Sequence, residues 1–188
     1  TVTMATTKQA TIADLYKEPG KAEIVEGRIV RFMPTGFLPS NAASEICTLL
    51  RNYVKVKRYG HALCDNTGFI VDLPNRKSLS PDASFYVGKN TGMKFIEGAP
   101  IFAVEVRSEG DYGPKAEKAI ADKRADYFAA GTQIVWDVDM LSSDVIRAYS
   151  AEKPDTFKIF RRGDIANAES VVPGWTLAVD DLFPYYTE

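Results

Sequence analysis

The stretch IFAVEVRSEGDYGPKAEKAIADKRADYF, residues 101–128, decides the fold of this chain. Its first six residues read as an interior strand covered on both faces, except that Glu105 stands among them. The second half predicts an amphipathic helix with Pro114 at its start and Gly131 just past its end. On a helical wheel, Lys123 falls in the middle of the apolar arc of that helix. A carboxylate and a lysine therefore interrupt two surfaces that are expected to pack in the core.

Both interruptions have a structural explanation and a functional one. Lys123 can extend its ammonium group from the edge of a packed face, and Glu105 can meet a cation in a buried ion pair. Such residues are costly when they are buried without a partner, so a functional role is the alternative. The chain turns from the strand of Glu105 into the helix of Lys123, which makes the two residues candidate partners. These residues alone leave both explanations open.

Composition limits the function classes. The 188 residues are 45% apolar and 26% charged, which is typical of one globular domain with its own core. The sequence contains no apolar run of about 18 residues that could span a membrane, so we expect a soluble, cytoplasmic protein without a membrane partner. The net charge of −2 argues against a polycation that attracts nucleic acid from a distance. Local basic groups permit contact with phosphate, although such groups are commonly solvated surface.

The two cysteines indicate no metal site. Cys47 and Cys64 lie far apart without a CxxC pair, and His61 completes no familiar zinc spacing with them. We expect both cysteines to be packing residues.

The remaining chain predicts one domain of mixed class. We treat residues 1–20 as an N-terminal tail or lead-in and residues 21–188 as the domain. A hairpin turning at Glu26-Gly27 and a helix from Ser40 or Asn41 to about Tyr59 come first. Strand-like pieces at HALCD, TGFIVDL, ASFYV and IFAVEV then resemble one meander, and further strands recur after the second helix. The fold class is α/β (α+β), a mostly antiparallel sheet flanked by two main helices.

A second carboxylate joins Glu105 when the strands are placed side by side. Asp82 follows Pro81 at the start of the strand before that of Glu105. Pro-Asp is by itself ordinary turn punctuation. Two carboxylates at the ends of neighbouring strands also suit Mg²⁺, which takes one or two carboxylates together with waters and phosphate oxygens. With a lysine nearby, the groups needed for metal-assisted phosphodiester hydrolysis are present.

Three ordered motifs carry a resemblance to a known family: SPDASFYV at 80–87, IFAVEVRSE at 101–109 and DKRADYFAAGTQIVWDVD at 122–139. They resemble the Uma-type family of restriction-endonuclease-like proteins in the PD-(D/E)XK nuclease superfamily. The likeness extends over most of the chain, from about residue 23 to 183. It implies a restriction-endonuclease-like mixed sheet flanked by helices.

The family pattern also implies roles for individual residues. It places the metal-binding acids at Asp82 and Glu105, and the catalytic lysine at Lys123. Arg107 departs from the family, which usually has an apolar residue at that position. We expect Arg107 and Arg124 to bind substrate.

Helix 40–59 carries one more candidate and one more departure. Many family members have a histidine early in this helix, where this chain reads SNAASE. Glu45 is a candidate for the additional acid that many members of the superfamily place on their first helix, although an exposed helical glutamate is the more ordinary interpretation.

The resemblance implies an endonuclease that hydrolyses phosphodiester bonds with Mg²⁺ or Mn²⁺, with DNA as the expected nucleic acid. The alternative is a catalytically inactive binding or regulatory module that keeps the nuclease fold. Arg107 and the low overall charge favour this alternative, whereas the intact Asp82, Glu105 and Lys123 favour the enzyme. A homodimer is expected on functional grounds, because double-strand cleavage generally needs two active sites.

Overall fold

The computed structural model describes residues 8–186. Its α-helices are α1 (Ile12–Tyr16), α2 (Phe37–Lys57) and α3 (Pro114–Ala129). Its strands are β1 (Ala22–Val25), β2 (Arg28–Arg31), β3 (His61–Cys64), β4 (Phe69–Leu73), β5 (Arg76–Leu79), β6 (Ala83–Tyr86), β7 (Ile96–Glu97), β8 (Phe102–Val106), β9 (Ile134–Val138), β10 (Ile146–Ser150), β11 (Lys153–Phe160), β12 (Ile165–Asn167) and β13 (Thr176–Ala178). A 3₁₀ helix at Val179–Leu182 follows.

These strands form separate sheets rather than the single meander expected from the sequence. The first sheet has the order β2-β1-β5-β4-β7, the second has the order β11-β10-β9-β8-β6-β3, and β12 pairs with β13. Most pairs are antiparallel, but β8 runs parallel to β9 and β4 runs parallel to β7. The mixed α/β class is confirmed, and the expectation of one sheet is wrong because β3 and β6 pair in the second sheet while β4 and β5 pair in the first.

The second sheet is covered on both faces, as the apolar run around Glu105 predicts. On one face, Phe102 and Val104 of β8 pack in a cluster with α2 residues such as Ile46. On the other face, Ala103 packs with Tyr127 of α3 and with residues of the first sheet. Ala103 and Glu105 are two residues apart on β8 and therefore point to the same face, so Glu105 faces the first sheet and α3.

The hairpin of β1 and β2 forms as predicted. Its two-residue turn has positive φ at both Glu26 (51°) and Gly27 (74°), which matches the twist of the paired strands. The register places Glu23 opposite Val30, and the backbone N–H of Phe32 donates to the Lys21 carbonyl at 3.0 Å. The face of β1 that carries Glu23 therefore continues across the edge strand β2.

Helix α2 begins at Phe37, three residues before the predicted cap, and ends at Lys57, where Arg58 takes a left-handed conformation with φ 55°. Its residues Cys47 and Leu50 are buried against the second sheet. Cys47 forms a disulfide with Cys64 of β3, with their Cα atoms 5.7 Å apart. The expectation of two packing cysteines is thus wrong, because the fold brings together residues that are far apart in sequence.

The segment 1–20 contains helix α1, which begins with a capping box formed by Thr11 and Asp14. Leu15 of this helix packs with Ile24 of β1 in a small apolar cluster. The first seven residues of that segment, and residues 187–188 of the expected domain, lie outside the described residues. Among residues 8–186, no helix combines the length and apolar character needed to cross a bilayer.

Candidate active site

Asp82 and Glu105 lie on neighbouring strands, as the sequence predicts. The backbone N–H of Asp82 donates to the Val104 carbonyl at 3.0 Å, and the carboxylate Oδ2 accepts from the Val106 N–H at 2.7 Å. These two bonds reach the residues on either side of Glu105. They fix the Asp82 carboxylate at the start of β6, beside the end of β8.

Lys123 meets Glu105 at the same place. Its Nζ lies 2.8 Å from Glu105 Oε1, and the Tyr127 hydroxyl donates to that same oxygen at 2.6 Å. The side chains of Lys123 and Glu105 are 15% and 26% exposed. The buried partner suggested by the helical wheel is therefore found, one turn of α3 away from Tyr127, which is fully buried.

Glu23 is a member of this site that the sequence analysis missed. Its Oε2 lies 2.9 Å from Lys123 Nζ and accepts from the Ser80 N–H at 2.6 Å, while its Oε1 accepts from Arg76 at 3.0 Å. Glu23 is only 1% exposed. An alternating hairpin strand predicts that such a glutamate faces solvent, so no local signal distinguished it.

Lys21 is a second missed residue. Its ammonium group lies 2.8 Å from Asp82 Oδ1 and 2.6 Å from Asp65 Oδ1. It immediately precedes β1, where it resembles any basic residue at the start of a strand. The site therefore places two lysines, Lys21 and Lys123, against the four acids Glu23, Asp65, Asp82 and Glu105.

Burial and the neighbouring charges shift the pKa values of the acids and lysines in this site. Burial raises the pKa of Glu105 to about 7, against the pull of Lys123, and the carboxylates Asp82 and Glu23 add to the rise. Burial would lower the pKa of Lys123, but Glu105 and Glu23 more than offset this and raise it. Burial also opposes the charge of Lys21, whose pKa is nevertheless raised, mainly by Asp82 and Glu105. Both lysines therefore stay protonated at neutral pH.

A buried arginine, Arg76, forms ion pairs with Glu23 of the site and with Asp126 of α3. The guanidinium of Arg76 on β5 bonds Glu23 and, at 2.7 Å, Asp126 of α3. Arg76 is 5% exposed, whereas the side chain of its neighbour Lys77 is 45% exposed. The two adjacent basic residues therefore do not form one solvent-exposed basic surface. Arg76 links the first sheet to the helix that carries Lys123, which fixes the distance between Glu23 and that lysine.

Arg107 is placed differently from its predicted role as a substrate-binding residue. Its guanidinium bonds both carboxylate oxygens of Asp137, at 2.9 and 2.8 Å, and also bonds Glu117. Only 7% of Arg107 is exposed. Asp137 on β9 is the register partner of Glu105, so Arg107 lies on the Glu105 face of the second sheet but is held there by Asp137 and Glu117. These contacts do not favour phosphate binding by Arg107, which stays a prediction.

The other two candidates lie elsewhere on the helices. Arg124 of α3 stacks over the ring of Tyr149 at 3.7 Å and is half-buried. Glu45 of α2 faces the 3₁₀ helix, where burial and the charge of Asp181 raise its pKa. Their predicted roles in substrate binding and as an additional acid stay predictions.

A cleft of about 280 Å³ opens beside Asp82. Its walls come from one face of α2, which contributes Ser40, Ser44, Thr48 and Arg51, and from Asp65 and Asp82 opposite. Hydroxyl and guanidinium groups on this wall are able to donate hydrogen bonds to phosphate oxygens. The cleft therefore gives an extended polar ligand access to Asp82.

The acids of this site can supply only part of the ligand set of a magnesium ion. Among residues 8–186, no group of three or more His, Cys, Asp or Glu side chains is arranged to hold a metal. Glu105 nevertheless has a second carboxylate oxygen, Oε2, besides the Oε1 that Lys123 and Tyr127 contact. Asp82 stands beside it, and Mg²⁺ is commonly bound by one or two carboxylates with waters and phosphate oxygens.

Comparison with known proteins gives matches at the level of family and of fold. A family model named Uma2, described as "Putative restriction endonuclease", matches residues 10–182. A crystal structure described as "a putative nuclease belonging to DUF820" from Anabaena variabilis ATCC 29413 is similar with a TM-score of 0.71 and 21% sequence identity. That likeness covers 93% of this chain and 97% of the other. A search of curated proteins finds no significant match.

Proposed function

We propose, from the premise that this chain belongs to the Uma2 family of restriction-endonuclease-like proteins, that it is a metal-dependent endonuclease acting on DNA. The family was already indicated by the ordered motifs around Asp82, Glu105 and Lys123, and the family match confirms that resemblance. Nuclease character in general follows from the family. The metal, the DNA substrate and the roles of individual residues belong to the proposal.

The convergence of Asp82, Glu105 and Lys123 carries the proposal. The three residues come from β6, β8 and α3, and the fold brings them together at one end of the second sheet. A purely structural ion pair needs one acid for one lysine. Here five acids meet three cations: Glu23, Asp65, Asp82, Glu105 and Asp126 against Lys21, Arg76 and Lys123. Burial and crowding raise the pKa of Glu105 to about 7. A divalent cation relieves such crowding, because it adds two positive charges beside the acids.

Asp82 and Glu105 would hold Mg²⁺ or Mn²⁺ through one oxygen each. A bound ion of this type supplies an activated water and neutralises charge that develops on the phosphate. Lys21 must release Asp82 Oδ1, which lies 2.8 Å from its ammonium group, when that oxygen takes a new partner. The backbone N–H of Val106 keeps the other Asp82 oxygen in place.

Lys123 would act as a fixed cation rather than a base. Glu105 and Glu23 raise its pKa, so it has no tendency to accept a proton near neutral pH. Its ammonium group can donate hydrogen bonds to an attacking water or to a non-bridging phosphate oxygen. Glu23 orients this ammonium group and is itself held by Arg76 and by the Ser80 N–H.

Incubation of plasmid DNA and of short labelled oligonucleotides with purified protein tests the proposal. We expect cleavage with Mg²⁺ or Mn²⁺ and little with Ca²⁺, because the larger ion takes a looser coordination shell. Asp82→Asn is the matched variant, since it keeps the shape of the side chain and removes its charge. Equal cleavage in EDTA would exclude this mechanism. DNA binding without cleavage under every metal condition would instead favour an inactive binding module.

A further inference from the structure

An aromatic side chain stands directly over the two site lysines. The Lys21 ammonium group lies 5.6 Å from the centre of the Phe32 ring, and the Lys123 ammonium group lies 5.3 Å from it. Phe32 follows the edge strand β2, and its backbone N–H bonds the Lys21 carbonyl. The ring is thus placed by backbone pairing at the mouth of the candidate active site.

Packing within the protein leaves part of the Phe32 ring exposed to solvent. Phe32 is 39% exposed, although a phenylalanine is ordinarily buried in a core. Met33 and Phe37 continue the apolar surface at 84% and 72% exposure, and Val30 on the same face of β2 is 40% exposed. Contiguous exposed apolar side chains commonly mark a contact surface. We call these four residues, Val30, Phe32, Met33 and Phe37, the apolar rim.

The apolar rim adjoins features suited to a nucleotide. Beside Phe32 are the ammonium groups of Lys21 and Lys123, which attract phosphate once a divalent cation balances the acids. Thr35 of the same segment lines the polar cleft, whose Asp65 and Asp82 bond Lys21. A nucleotide presents a flat apolar base and an anionic phosphate joined by one sugar, so it can cover the ring with its base while its phosphate approaches the lysines.

We propose that Phe32 is a stacking platform for an unpaired nucleobase of the DNA substrate, and that the enzyme prefers single-stranded or locally unpaired DNA. In an intact duplex both faces of each base are covered by its neighbours, so stacking on Phe32 requires a strand end, a flap or a melted segment. Aromatic side chains beside a basic groove are a common means of binding single strands without reading their sequence. This inference rests on the proposed nuclease function and adds its substrate class.

The test measures binding without turnover. Anisotropy of a labelled oligothymidine and of a labelled duplex, with Ca²⁺ in place of Mg²⁺, compares wild type with Phe32→Ala, Phe32→Leu and Phe32→Trp. Loss of one stacked base weakens binding by about 5- to 150-fold. We expect that loss for oligothymidine with Phe32→Ala and Phe32→Leu, a smaller change for the duplex, and retention with Phe32→Trp. Phe157→Ala is the matched control, since Phe157 is 44% exposed on β11.

Phe32→Trp also reports stacking directly. Trp136 and Trp175 are 0% and 3% exposed, so they provide a constant background to the fluorescence of the new indole. We expect oligothymidine to quench that fluorescence. Wild-type affinity for oligothymidine in Phe32→Ala, or unchanged fluorescence in Phe32→Trp, overturns the inference.

The same samples separate this inference from the proposed function. If wild type binds oligothymidine through Phe32 but cleaves no DNA with Mg²⁺ or Mn²⁺, the nuclease function is wrong and the stacking platform stands. If wild type cleaves DNA and Phe32→Ala cleaves and binds single strands equally well, the platform is wrong and the nuclease stands. A change of oligomeric state in Phe32→Ala without DNA, seen by light scattering, assigns the apolar rim to contact between protein chains and overturns the platform.

Discussion

Lys123 and Glu105 are direct partners, with 2.8 Å between the ammonium nitrogen and the carboxylate oxygen. Each of them interrupts an otherwise apolar surface, one on α3 and one on β8, and each offsets part of the cost of burying the other. The surrounding network has an excess of negative charge, because five acids (Glu23, Asp65, Asp82, Glu105 and Asp126) meet the three cations Lys21, Arg76 and Lys123. This excess distinguishes the site from a balanced structural salt bridge.

Lys123→Ala is expected to lower the turnover of DNA cleavage by about 10²- to 10³-fold, as the removal of one electrostatic donor does in other active sites. The measurement is a single-turnover time course on labelled DNA, with circular dichroism to check the fold. Lys118→Ala is the control, since Lys118 on the same helix is 78% exposed and pairs with Asp122 on the surface. Unchanged turnover in Lys123→Ala would make Lys123 a structural residue.

Glu105 gives the metal-free protein a pH-dependent stability. Its pKa is raised from 4.5 to about 7 in the folded state, so between these values the folded chain holds a proton that the unfolded chain has released. The free energy of unfolding therefore falls as pH rises through this window, by up to about 3 kcal/mol. Glu105→Gln, which does not titrate, is expected to lose less stability between pH values below and above the window. Urea denaturation of both proteins in EDTA measures this, and parallel pH profiles would contradict it.

The contact between Glu105 and Lys123 could be predicted because each residue violates a local pattern. Glu105 stands in a strand that is apolar on both faces, and Lys123 stands in the apolar arc of a helix. Asp82 adds a motif whose order along the chain is specific. Local pattern and family resemblance therefore pointed to the same three residues, and the fold brings them together.

Glu23 and Lys21 could not be found in this way, because both obey the local pattern. A charged residue alternating with apolar ones in a hairpin is normally solvent-exposed. The face of β1 that carries Glu23 is covered only because α3 and the second sheet pack on it, and that depends on pairing between distant segments. The strand β5 was missed for a related reason, since its arginine is buried in an ion network.

Arg107→Leu is expected to act on stability. It removes the partner of Asp137, whose side chain is 5% exposed, and leaving a buried charge unpaired costs about 3–5 kcal/mol. Arg31→Leu is the control, because Arg31 is 69% exposed and its pair with Glu18 contributes about 1 kcal/mol or less. Urea denaturation measures both variants.

The double variant Arg107→Leu/Asp137→Leu identifies the cause of that loss. It removes the uncompensated charge, so we expect it to recover part of the stability lost in Arg107→Leu. A double variant less stable than Arg107→Leu would show that packing, not charge, dominates. Loss of phosphate binding in Arg107→Leu without loss of stability would restore its predicted role in substrate binding.

Lys21→Met is expected to raise the affinity for Mn²⁺, whereas Asp82→Asn lowers it. The Lys21 ammonium group bonds Asp82 Oδ1 at 2.8 Å, so a divalent cation at this carboxylate must displace or repel it. Removing one adjacent positive charge from a partly buried site favours the cation by roughly tenfold. Methionine keeps the length and apolar stem of the lysine side chain.

Calorimetric titration with Mn²⁺, at a pH above the pKa of Glu105 so that its carboxylate is ionised, compares the variants. Lys77→Met is the control, because Lys77 pairs with the 95% exposed Asp72 on the surface and should not affect the site. The two site variants must change the affinity in opposite directions if the ion binds at Asp82. Unchanged affinity in Lys21→Met together with unchanged affinity in Asp82→Asn would place Mn²⁺ at another site and remove Asp82 from the metal ligands.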